Sequence, residues 1–594
     1  METKICQNCK QEFRIEPEDF EFYEKIKVPP PTWCPECRLV RRLLTRNERS
    51  LYRRKCDLCQ KDIIARYHPD LPFPVYCVPC WYSDRWDPLD YGRGYDFSKQ
   101  FFTQFQELGK VVPRPAMFRI QDVNSDYCNQ CLDVKNVYLS SSILYGEDIL
   151  YSYRLDKSRD TIDCAHGRNL ERCYEVLDTL STTNVQFSRY VRNSLDSSLL
   201  YDVRGSSNCF GCVNLRNAKH RIFNQPYTPE EYQRERGQYD TGSYQTLQEI
   251  QKRFDVLKSS VPRLHRVVEK SVSIVGDNVQ NSKNCYWCFD SYDVEDSKFI
   301  FAGIDGVRDS YDINHSGVQC EKNYEGWSVI GTGNKFSIGP QGSYMEYSEF
   351  CHHRNASNFF GCISIPLERH FCIFNKQYTK EEYEKLIPQI KQHMDEMSYT
   401  DAKGMVYHYG EFFPPEMSPF GYNETIAQDY FPLTKEQALS QGYKWKDPEP
   451  RNYEITIKSQ DLPDHIKDVD DSILKQVIGC LHEGKCNDQC TTAFKIIPQE
   501  LEFYQKMNLP LPRLCPNCRH YQRLKQRNPL KLWHRKCMCG GDKSVHSINS
   551  GNIYTNQTTH FHQDQSCPNE FETSYAPDRS EIVYCEQCYQ AEVV

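Results

Sequence analysis

The chain has 594 residues, of which 39% are hydrophobic and 26% charged, and its formal net charge is −8. This composition is typical of globular proteins and excludes an intrinsically disordered chain. No stretch approaches the roughly 18 consecutive apolar residues of a membrane-spanning helix. The first residues also lack the apolar core of a secretory signal. We therefore expect a cytoplasmic protein of several domains that does not bind a membrane.

Thirty cysteines, many of them in close pairs, indicate metal sites rather than disulfides in a chain without a secretory signal. A C-x-x-C turn aims two thiolates at one ion, and two such pairs complete a closed tetrahedral zinc site. In the N-terminal region the predicted ligands are Cys6, Cys9, Cys34, Cys37, Cys56, Cys59, Cys77 and Cys80. In the C-terminal region they are Cys486, Cys490, Cys515, Cys518, Cys537, Cys539, Cys585 and Cys588. We expect about four structural Zn²⁺ ions, two at each end.

The two cysteine regions are copies of one module. Cys9 to Cys34 and Cys490 to Cys515 both enclose 24 residues. Spacing does not decide whether consecutive pairs share an ion, as in ribbons, or alternate pairs share one in a cross-brace. Four further residues are alternative ligands in the C-terminal module: Cys480, Cys567, His560 and His562.

The order C-x-x-C, Phe, Phe-Tyr, Pro and C-P-x-C-R is present from residue 6 to 38. It recurs from 486 to 519 with one extra residue between the first two cysteines, Cys486 and Cys490. This order resembles a short zinc-ribbon domain found in many bacterial proteins of unknown role. The whole arrangement, with such domains at both ends of a repeat region, is similar to uncharacterised proteins of candidate-phylum bacteria. The resemblance implies zinc sites and brings no activity with it.

A second duplication lies between the modules. "IFNQPYTPEEY" at 222 recurs as "IFNKQYTKEEY" at 373, and within each copy aromatic or aliphatic residues recur every 11 to 13 residues. A turn and a short strand in every period predict a β-solenoid, in which stacked neighbours supply the core. Whether one period or two make a full coil is open. Thr228 and Thr379 each begin a capping box, which predicts a helix that caps each copy.

The predicted fold is mainly β and multidomain: duplicated two-zinc ribbon modules at both termini flank a duplicated short-period β-solenoid with capping helices. The solenoid cysteines are expected to be stacked core residues, with additional metal as the alternative. The predicted segments are a zinc-ribbon module at 1–95, solenoid blocks at 120–260 and 270–397, an irregular connector at 398–470, and a second zinc-ribbon module at 475–594.

Two basic stretches suggest a partner. Residues 38–55 and 519–536 each carry a net charge of +7, so the rest of the chain carries −22. Basic side chains beside zinc sites and aromatic residues predict contact with RNA or single-stranded DNA. The alternative is a helix that docks on the protein's own acidic solenoid. The predicted nucleic-acid ligands are Arg38, Arg41, Arg42, Arg46, Arg49, Arg53, Arg519, Arg523, Lys525, Arg527, Lys531 and Arg535.

Catalysis is the weaker hypothesis. The sequence has no Walker A loop, no G-x-S-x-G motif, no H-E-x-x-H motif and no dinucleotide fingerprint. A β-helix hydrolase or lyase that acts on carbohydrate is the enzymatic alternative, and "CHHRN" at 351–355 is either a surface turn or a catalytic or metal-binding group. We expect a zinc-stabilised scaffold that binds nucleic acid or, alternatively, protein partners on an acidic, tyrosine-rich solenoid face.

Overall fold

The computed structural model describes residues 1–318, 320–449, 453–547 and 553–593. They form two compact units, Met1–Phe118 with Val267–Asp447, and Arg119–Arg266 with Pro448–Val594. The N-terminal cysteine module thus shares a unit with the second solenoid block, and the C-terminal module shares one with the first block. The fold is mainly β, with cysteine groups near both ends and solenoid blocks between them, so the predicted fold class is confirmed.

The N-terminal module consists of two small cysteine-bearing halves and a short helical segment. Antiparallel hairpins begin both halves, and each hairpin turn carries the first C-x-x-C pair of its half. Its elements are β1 Glu2–Ile5, β2 Glu12–Ile15, α1 Pro17–Lys25, α2 Pro35–Leu43, β3 Tyr52–Lys55, β4 Asp62–Ala65, β5 Val75–Tyr76, α3 Val78–Trp81, α4 Phe101–Gly109 and β6 Arg114–Pro115.

The first solenoid block is a stack of parallel strands whose hydrogen-bonded partners are twelve residues apart, as in Ala165 with Leu177. One twelve-residue period therefore makes one full coil. The elements are β7 Arg119–Val123, β8 Cys131–Tyr138, β9 Ser141–Leu150, β10 Tyr153–Asp156, β11 Arg159–Ile162, β12 Ala165–Glu171, β13 Tyr174–Arg189, β14 Arg192–Tyr201, β15 Ser207–Val213, β16 Lys219–Ile222, β17 Gln225–Pro226, α5 Pro229–Arg236, α6 Tyr244–Ser259 and β18 Arg263–Leu264.

The backbone turns a corner at every third residue of a coil. Asn169, Arg172, Glu175 and Asp178 have φ angles of 53°, 50°, 52° and 53°, and the pattern repeats along the block. A left-handed residue other than glycine costs about 1–2 kcal/mol, and Asn and Asp tolerate it best. Hydrogen bonds between corner side chains one coil apart offset part of this cost. Asn136, for example, donates to Asp148 over 2.8 Å.

Small and aliphatic side chains fill the narrow interior of each coil. Ser152 accepts a hydrogen bond from the amide of Cys164 one coil later, at 3.1 Å, and donates to the carbonyl of Leu150. The solenoid cysteines are buried in the same interior. Aliphatic side chains such as Ile143, Leu155 and Leu170 share this interior with the cysteines and with Val176, so each coil is closely packed.

The second solenoid block is less regular, with parallel partners 11 to 14 residues apart. Thr228 and Thr379 form the expected capping boxes, and their helices pack on the last coils of their blocks. The elements are β19 Val268–Glu269, β20 Val272–Gln280, β21 Lys283–Tyr292, β22 Val294–Phe301, β23 Val307–Arg308, β24 Tyr311–Asn314, β25 Cys320–Glu321, β26 Tyr324–Trp327, β27 Lys335–Ile338, β28 Gln341–Glu346, β29 His352–Phe360, β30 His370–Ile373, β31 Lys376–Gln377 and α7 Lys380–Glu396.

The segment after the second block contains only short elements within its described residues: β32 Tyr399–Thr400, β33 Val406–Tyr407, α8 Ile426–Tyr430, α9 Lys435–Ser440 and β34 Ile457–Lys458. The C-terminal module repeats the helices of the N-terminal one. Its elements are β35 Ile478–Gly479, β36 Ala493–Phe494, α10 Pro498–Lys506, α11 Pro516–Lys525, β37 Trp533–Lys536, β38 Val545–Ser547, β39 Ile553–Thr555, β40 Glu570–Thr573, β41 Val583–Tyr584 and α12 Glu586–Val593. Of the helices described, none combines the length and the apolar character needed to cross a bilayer.

Candidate metal centres and the docking of their modules

Four groups of four cysteines bring their sulfur atoms together, each within 4.8 Å of the others in its group. Two lie in the N-terminal module and two in the C-terminal module. The groups are Cys6, Cys9, Cys34 and Cys37; Cys56, Cys59, Cys77 and Cys80; Cys480, Cys490, Cys515 and Cys518; and Cys537, Cys567, Cys585 and Cys588. Consecutive pairs come together in the N-terminal module, as in ribbons, and all thirty cysteines are free thiols.

The sulfur spacing fits a tetrahedral ion. A metal–sulfur bond of about 2.3 Å places the sulfurs of a regular tetrahedron about 3.8 Å apart. The Sγ atoms of Cys9 and Cys34 are 3.8 Å apart, and those of Cys567 and Cys585 are also 3.8 Å apart. Each group can therefore hold one metal ion.

One backbone contact recurs in all four groups and identifies equivalent cysteines. The amide of Cys34 donates to the sulfur of Cys6 over 3.2 Å, and the amide of Cys515 donates to that of Cys480 over 3.3 Å. Cys480 therefore takes the place of Cys6. Cys486, the predicted ligand, lies beside the group, with its sulfur 3.7 Å from that of Cys518.

In the second C-terminal group, Cys567 takes the place for which Cys539 was predicted. A spacing in the sequence could have found it, because Cys567 precedes Cys585 by 18 residues, as Cys59 precedes Cys77. The match is hard to recognise in the sequence because a long segment separates Cys567 from Cys539. Cys539 instead lies in a neighbouring cluster with His560 and His562.

Mutual hydrogen bonds favour a thiolate at one cysteine of a group and raise the pKa of others, such as Cys37. Cys34 and Cys515 each precede the first residue of a helix, α2 and α11, where backbone amides and the helix dipole stabilise negative charge. In three groups a hydrogen bond from a neighbouring cysteine lowers the pKa of one thiol. Cys34 lowers the pKa of Cys6, Cys480 lowers that of Cys515, and Cys537 lowers that of Cys585.

Helix α2 is buried against the second solenoid block through three arginines on one face. Arg38 Nη2 lies 2.8 Å from Asp312 Oδ2, and Arg42 Nη1 lies 3.1 Å from Asp312 Oδ1. Arg41 contacts Glu325 and Glu411, each at 2.9 Å. The spacing i, i+3, i+4 places these arginines side by side on the helix. Burial raises the pKa of Glu325, although Arg41 and Arg42 oppose the shift.

Aromatic contacts surround this ionic network. Phe22 of α1 stacks on Tyr311 of the solenoid with ring centroids 3.8 Å apart, and Tyr23 meets Tyr324 edge to face. The Arg41 guanidinium lies 4.4 Å from the Trp33 ring. The module is thus held to the solenoid by buried charge and by aromatic packing together.

The C-terminal module docks on the first solenoid block in the same way. Arg523 Nη1 of α11 lies 2.9 Å from Asp163 Oδ1 and 3.0 Å from Glu175 Oε1, and Arg519 Nε lies 3.3 Å from Asp163 Oδ2. Asp163 and Glu175 are corners of adjacent coils, with φ angles of 56° and 52°. Left-handed corners therefore present stacked carboxylates to the arginines.

The second block repeats this corner geometry. Asp312 and Glu325 also have positive φ angles, of 57° and 44°, and lie on neighbouring coils that pair through β24 and β26. The duplication therefore includes the docking site: each module carries the basic helix, and each block carries the acidic corners.

The predicted nucleic-acid residues divide by burial. Those that are buried are Arg38, Arg41, Arg42, Arg46, Arg519 and Arg523. Those that are half-buried are Arg49, Arg527 and Arg535, and those that are exposed are Arg53, Lys525 and Lys531. The buried six are paired with carboxylates of this chain. Their contact with nucleic acid stays a prediction.

The "CHHRN" segment packs inward at two of its residues. Cys351 and His352 are buried, and the His352 ring meets Phe118 and Trp81 edge to face, with centroids 4.4 and 5.4 Å away. Burial, and to a lesser degree Arg66, lowers the pKa of His352 to about 3. His352 is therefore a neutral packing residue near pH 7.

Two groupings of carboxylates with basic side chains bear on the enzymatic alternative. Asp312, Glu325 and Glu411 are covered by helix α2, with at most 6% of each side chain exposed, so a substrate cannot reach them. A pocket of about 240 Å³ between α10 and the first block is lined by Asp148, Asp160, Arg172, Glu502 and Lys506, among others. The carbohydrate-active alternative depends on side chains such as these.

The comparisons with known proteins add no identification. No protein-family model and no curated protein matches the chain. Among solved structures, the crystal structure of a putative acetyltransferase from Desulfovibrio desulfuricans G20 is 10% identical and aligns over 50% of this chain and 83% of its own. Its TM-score is 0.09, so the likeness supports no argument about fold or function.

Proposed function

We propose that this protein is a zinc-stabilised binding scaffold. Four closed cysteine groups favour structural zinc, because zinc takes four thiolates in a tetrahedron and leaves no position open for a substrate. A mononuclear iron site fits the same geometry, so elemental analysis of the purified protein is the test of metal identity. Thirty free thiols fit a reducing compartment, which supports the cytoplasm as the location.

The duplicated arginine–carboxylate docking site carries the proposal. Each metal module buries its basic helix on acidic corners of a solenoid block, in one case through Arg38 and Asp312 and in the other through Arg523 and Asp163. A small ribbon folds only with its metal. In this proposal the metal therefore folds the module, and the docked module stabilises the coils of the solenoid that it covers. The solenoid faces that no module covers bind partners.

The experiment that tests this proposal is metal removal with a chelator, followed by metal analysis and near-ultraviolet circular dichroism. We expect the four zinc ions of the cysteine groups, at least, to be released and the aromatic signal of the docked Tyr and Trp side chains to fall, and zinc to restore both. An unchanged aromatic signal after complete metal removal would contradict the scaffold role of the modules.

Protein partners are favoured over nucleic acid for this scaffold. The six most buried of the predicted basic residues pair with carboxylates of this chain, which supports a structural role for them over phosphate contact. Arg53, Lys525 and Lys531 are exposed, and Lys525 pairs with Asp488 at 2.6 Å. We expect little binding of single-stranded RNA by fluorescence anisotropy at low salt. A log–log salt slope equivalent to several released counterions would instead support a nucleic-acid function.

A further inference from the structure

A second set of metal-ligand side chains lies beside the fourth cysteine group. Cys539, His560, His562 and Cys588 bring one ligand atom each to within 4.8 Å of the others. Cys588 also belongs to the group of Cys537, Cys567 and Cys585. The two sets therefore meet at one sulfur atom, and a thiolate has enough lone pairs to bind two ions.

His560 has the hydrogen-bond pattern of a metal ligand. The residue is 5% exposed, and no described group bonds its Nδ1. Its Nε2 lies 3.0 Å from Glu592 Oε1, as in the carboxylate–histidine–metal arrangement that fixes the tautomer of a ligand. The nearby Asn556 amide donates to Cys539 Sγ and to the Gly541 carbonyl, which leaves the Nε2 proton for Glu592.

His562 repeats this pattern with the opposite ring nitrogen. Its Nδ1 lies 2.6 Å from the Gln565 carbonyl oxygen, which requires a proton on Nδ1. Its Nε2, then unprotonated, lies 3.2 Å from Cys588 Sγ. Nitrogen and sulfur ligands of one zinc ion lie about 3.6 Å apart for bonds of about 2.05 and 2.3 Å. Both imidazoles are thus oriented by their second nitrogens for an ion beside Cys588.

We propose that Cys539, His560, His562 and Cys588 bind a fifth zinc ion, with the Cys588 thiolate bridging two ions. The inference rests on the proposed function, because the neighbouring ion is the one assigned to the fourth cysteine group. Five thiolates, two neutral imidazoles and two divalent ions carry a net charge of −1. Sharing Cys588 thus keeps the charge of this partly buried centre low.

The bridged centre is specific to the C-terminal module. Cys56 and Cys59 of the N-terminal module enclose only Asp57 and Leu58, whereas His560 and His562 lie in the long insertion between the matching Cys537 and Cys567. The duplicated modules therefore bind different numbers of ions, two at the N-terminus and three at the C-terminus.

Native mass spectrometry of the full chain loaded with zinc tests the inference. We expect five ions in the unmodified protein, and four in His562→Ala and in His560→Ala. We expect five in the control His534→Ala, whose side chain is 60% exposed and forms ion pairs with Glu570 and Glu572 among the described residues. Four ions in the unmodified protein would overturn the fifth site and leave the proposed function intact. Fewer than four would overturn both.

Cadmium substitution tests the bridge without a variant. When ¹¹³Cd replaces zinc in the unmodified protein, we expect two resonances that are split by scalar coupling through Cys588 Sγ. The other three ions should give unsplit signals. Five signals without any splitting would contradict the bridge, and four signals would contradict the fifth site.

Discussion

Arg38 and Asp312 are 274 positions apart in the chain, yet Nη2 and Oδ2 lie 2.8 Å apart with at most 1% of either side chain exposed. Asp312 also accepts from Arg42, so one carboxylate holds two buried guanidinium groups. A buried ion pair contributes little beyond a well-packed apolar pair, but removal of one partner leaves an uncompensated charge. This asymmetry makes Asp312 the sensitive point of the N-terminal docking site.

Replacement of Asp312 should therefore destabilise the unit that contains it. We expect Asp312→Ala to lower the free energy of unfolding by about 3–5 kcal/mol, because Arg38 and Arg42 lose their carboxylate in a buried site. Denaturant titration measures this loss. The control is Asp62→Ala, which breaks the exposed pair with Lys55 and should change stability by less than about 1 kcal/mol. Equal effects of the two variants would show that the docked pair is not buried in solution.

The aromatic part of the docking site should matter as much as the ionic part. Phe22 is buried and stacks on Tyr311, so Phe22→Ala creates a cavity between module and solenoid and should cost about 3–5 kcal/mol. Phe561, which is 55% exposed, gives a matched control because Phe561→Ala leaves no cavity. If thermal unfolding separates these two variants by less than about 1 kcal/mol, the stacking is absent in solution.

Cysteine variants should separate metal ligands from core residues. Cys34→Ser removes one ligand of the first group, so we expect native mass spectrometry to find one zinc ion fewer and the module to unfold. Cys320→Ala removes a buried thiol from the second solenoid block, and we expect this variant to bind as many zinc ions as the unmodified protein. Loss of an ion from Cys320→Ala would mean that the solenoid itself holds metal.

The buried His352 predicts a pH dependence of stability. Its pKa is lowered to about 3, so the folded state keeps the imidazole neutral while the unfolded chain binds a proton below about pH 6.5. Stability should fall as pH decreases from about 6.5, by up to about 1.4 kcal/mol per pH unit from this group. His352→Phe should flatten the dependence between pH 7.5 and 5.5.

His534 provides a control of opposite sign. Its exposed ring contacts Glu570 and Glu572, which raise its pKa, so its small contribution is present at low pH and is lost as pH rises. Urea titrations of His352→Phe and His534→Ala at several pH values measure how the free energy of unfolding changes with pH. An unchanged slope in His352→Phe would mean that this ring is solvated in solution.

Local features of the fold were predictable, and partnerships between distant segments were not. The period of the solenoid, the capping boxes at Thr228 and Thr379 and the duplicated cysteine spacing follow from short-range chemistry. Twelve-residue coils became certain only from the strand register, because periodicity does not tell how many periods close one coil. Cys567 was predicted only as an alternative ligand, and not as the counterpart of Cys59, because a long insertion separates it from Cys537.

The docking sites show the same limit. The basic stretch at 38–55 was recognised from its charge, and docking on the acidic solenoid was one of its two interpretations. The pattern did not reveal which block carries the carboxylates. Asp163 and Asp312 are single residues among many acidic corners, and only their contacts with Arg523 and Arg38 distinguish them.

Amide hydrogen exchange with and without metal tests the central claim most directly. If the metal modules hold the solenoid, chelation should accelerate exchange at the coils that carry Asp163, Glu175, Asp312 and Glu325, because the packing that protects them is lost. Coils that no module covers should change less, and added zinc should restore protection. Unchanged exchange at those four corners after complete metal removal would contradict the account.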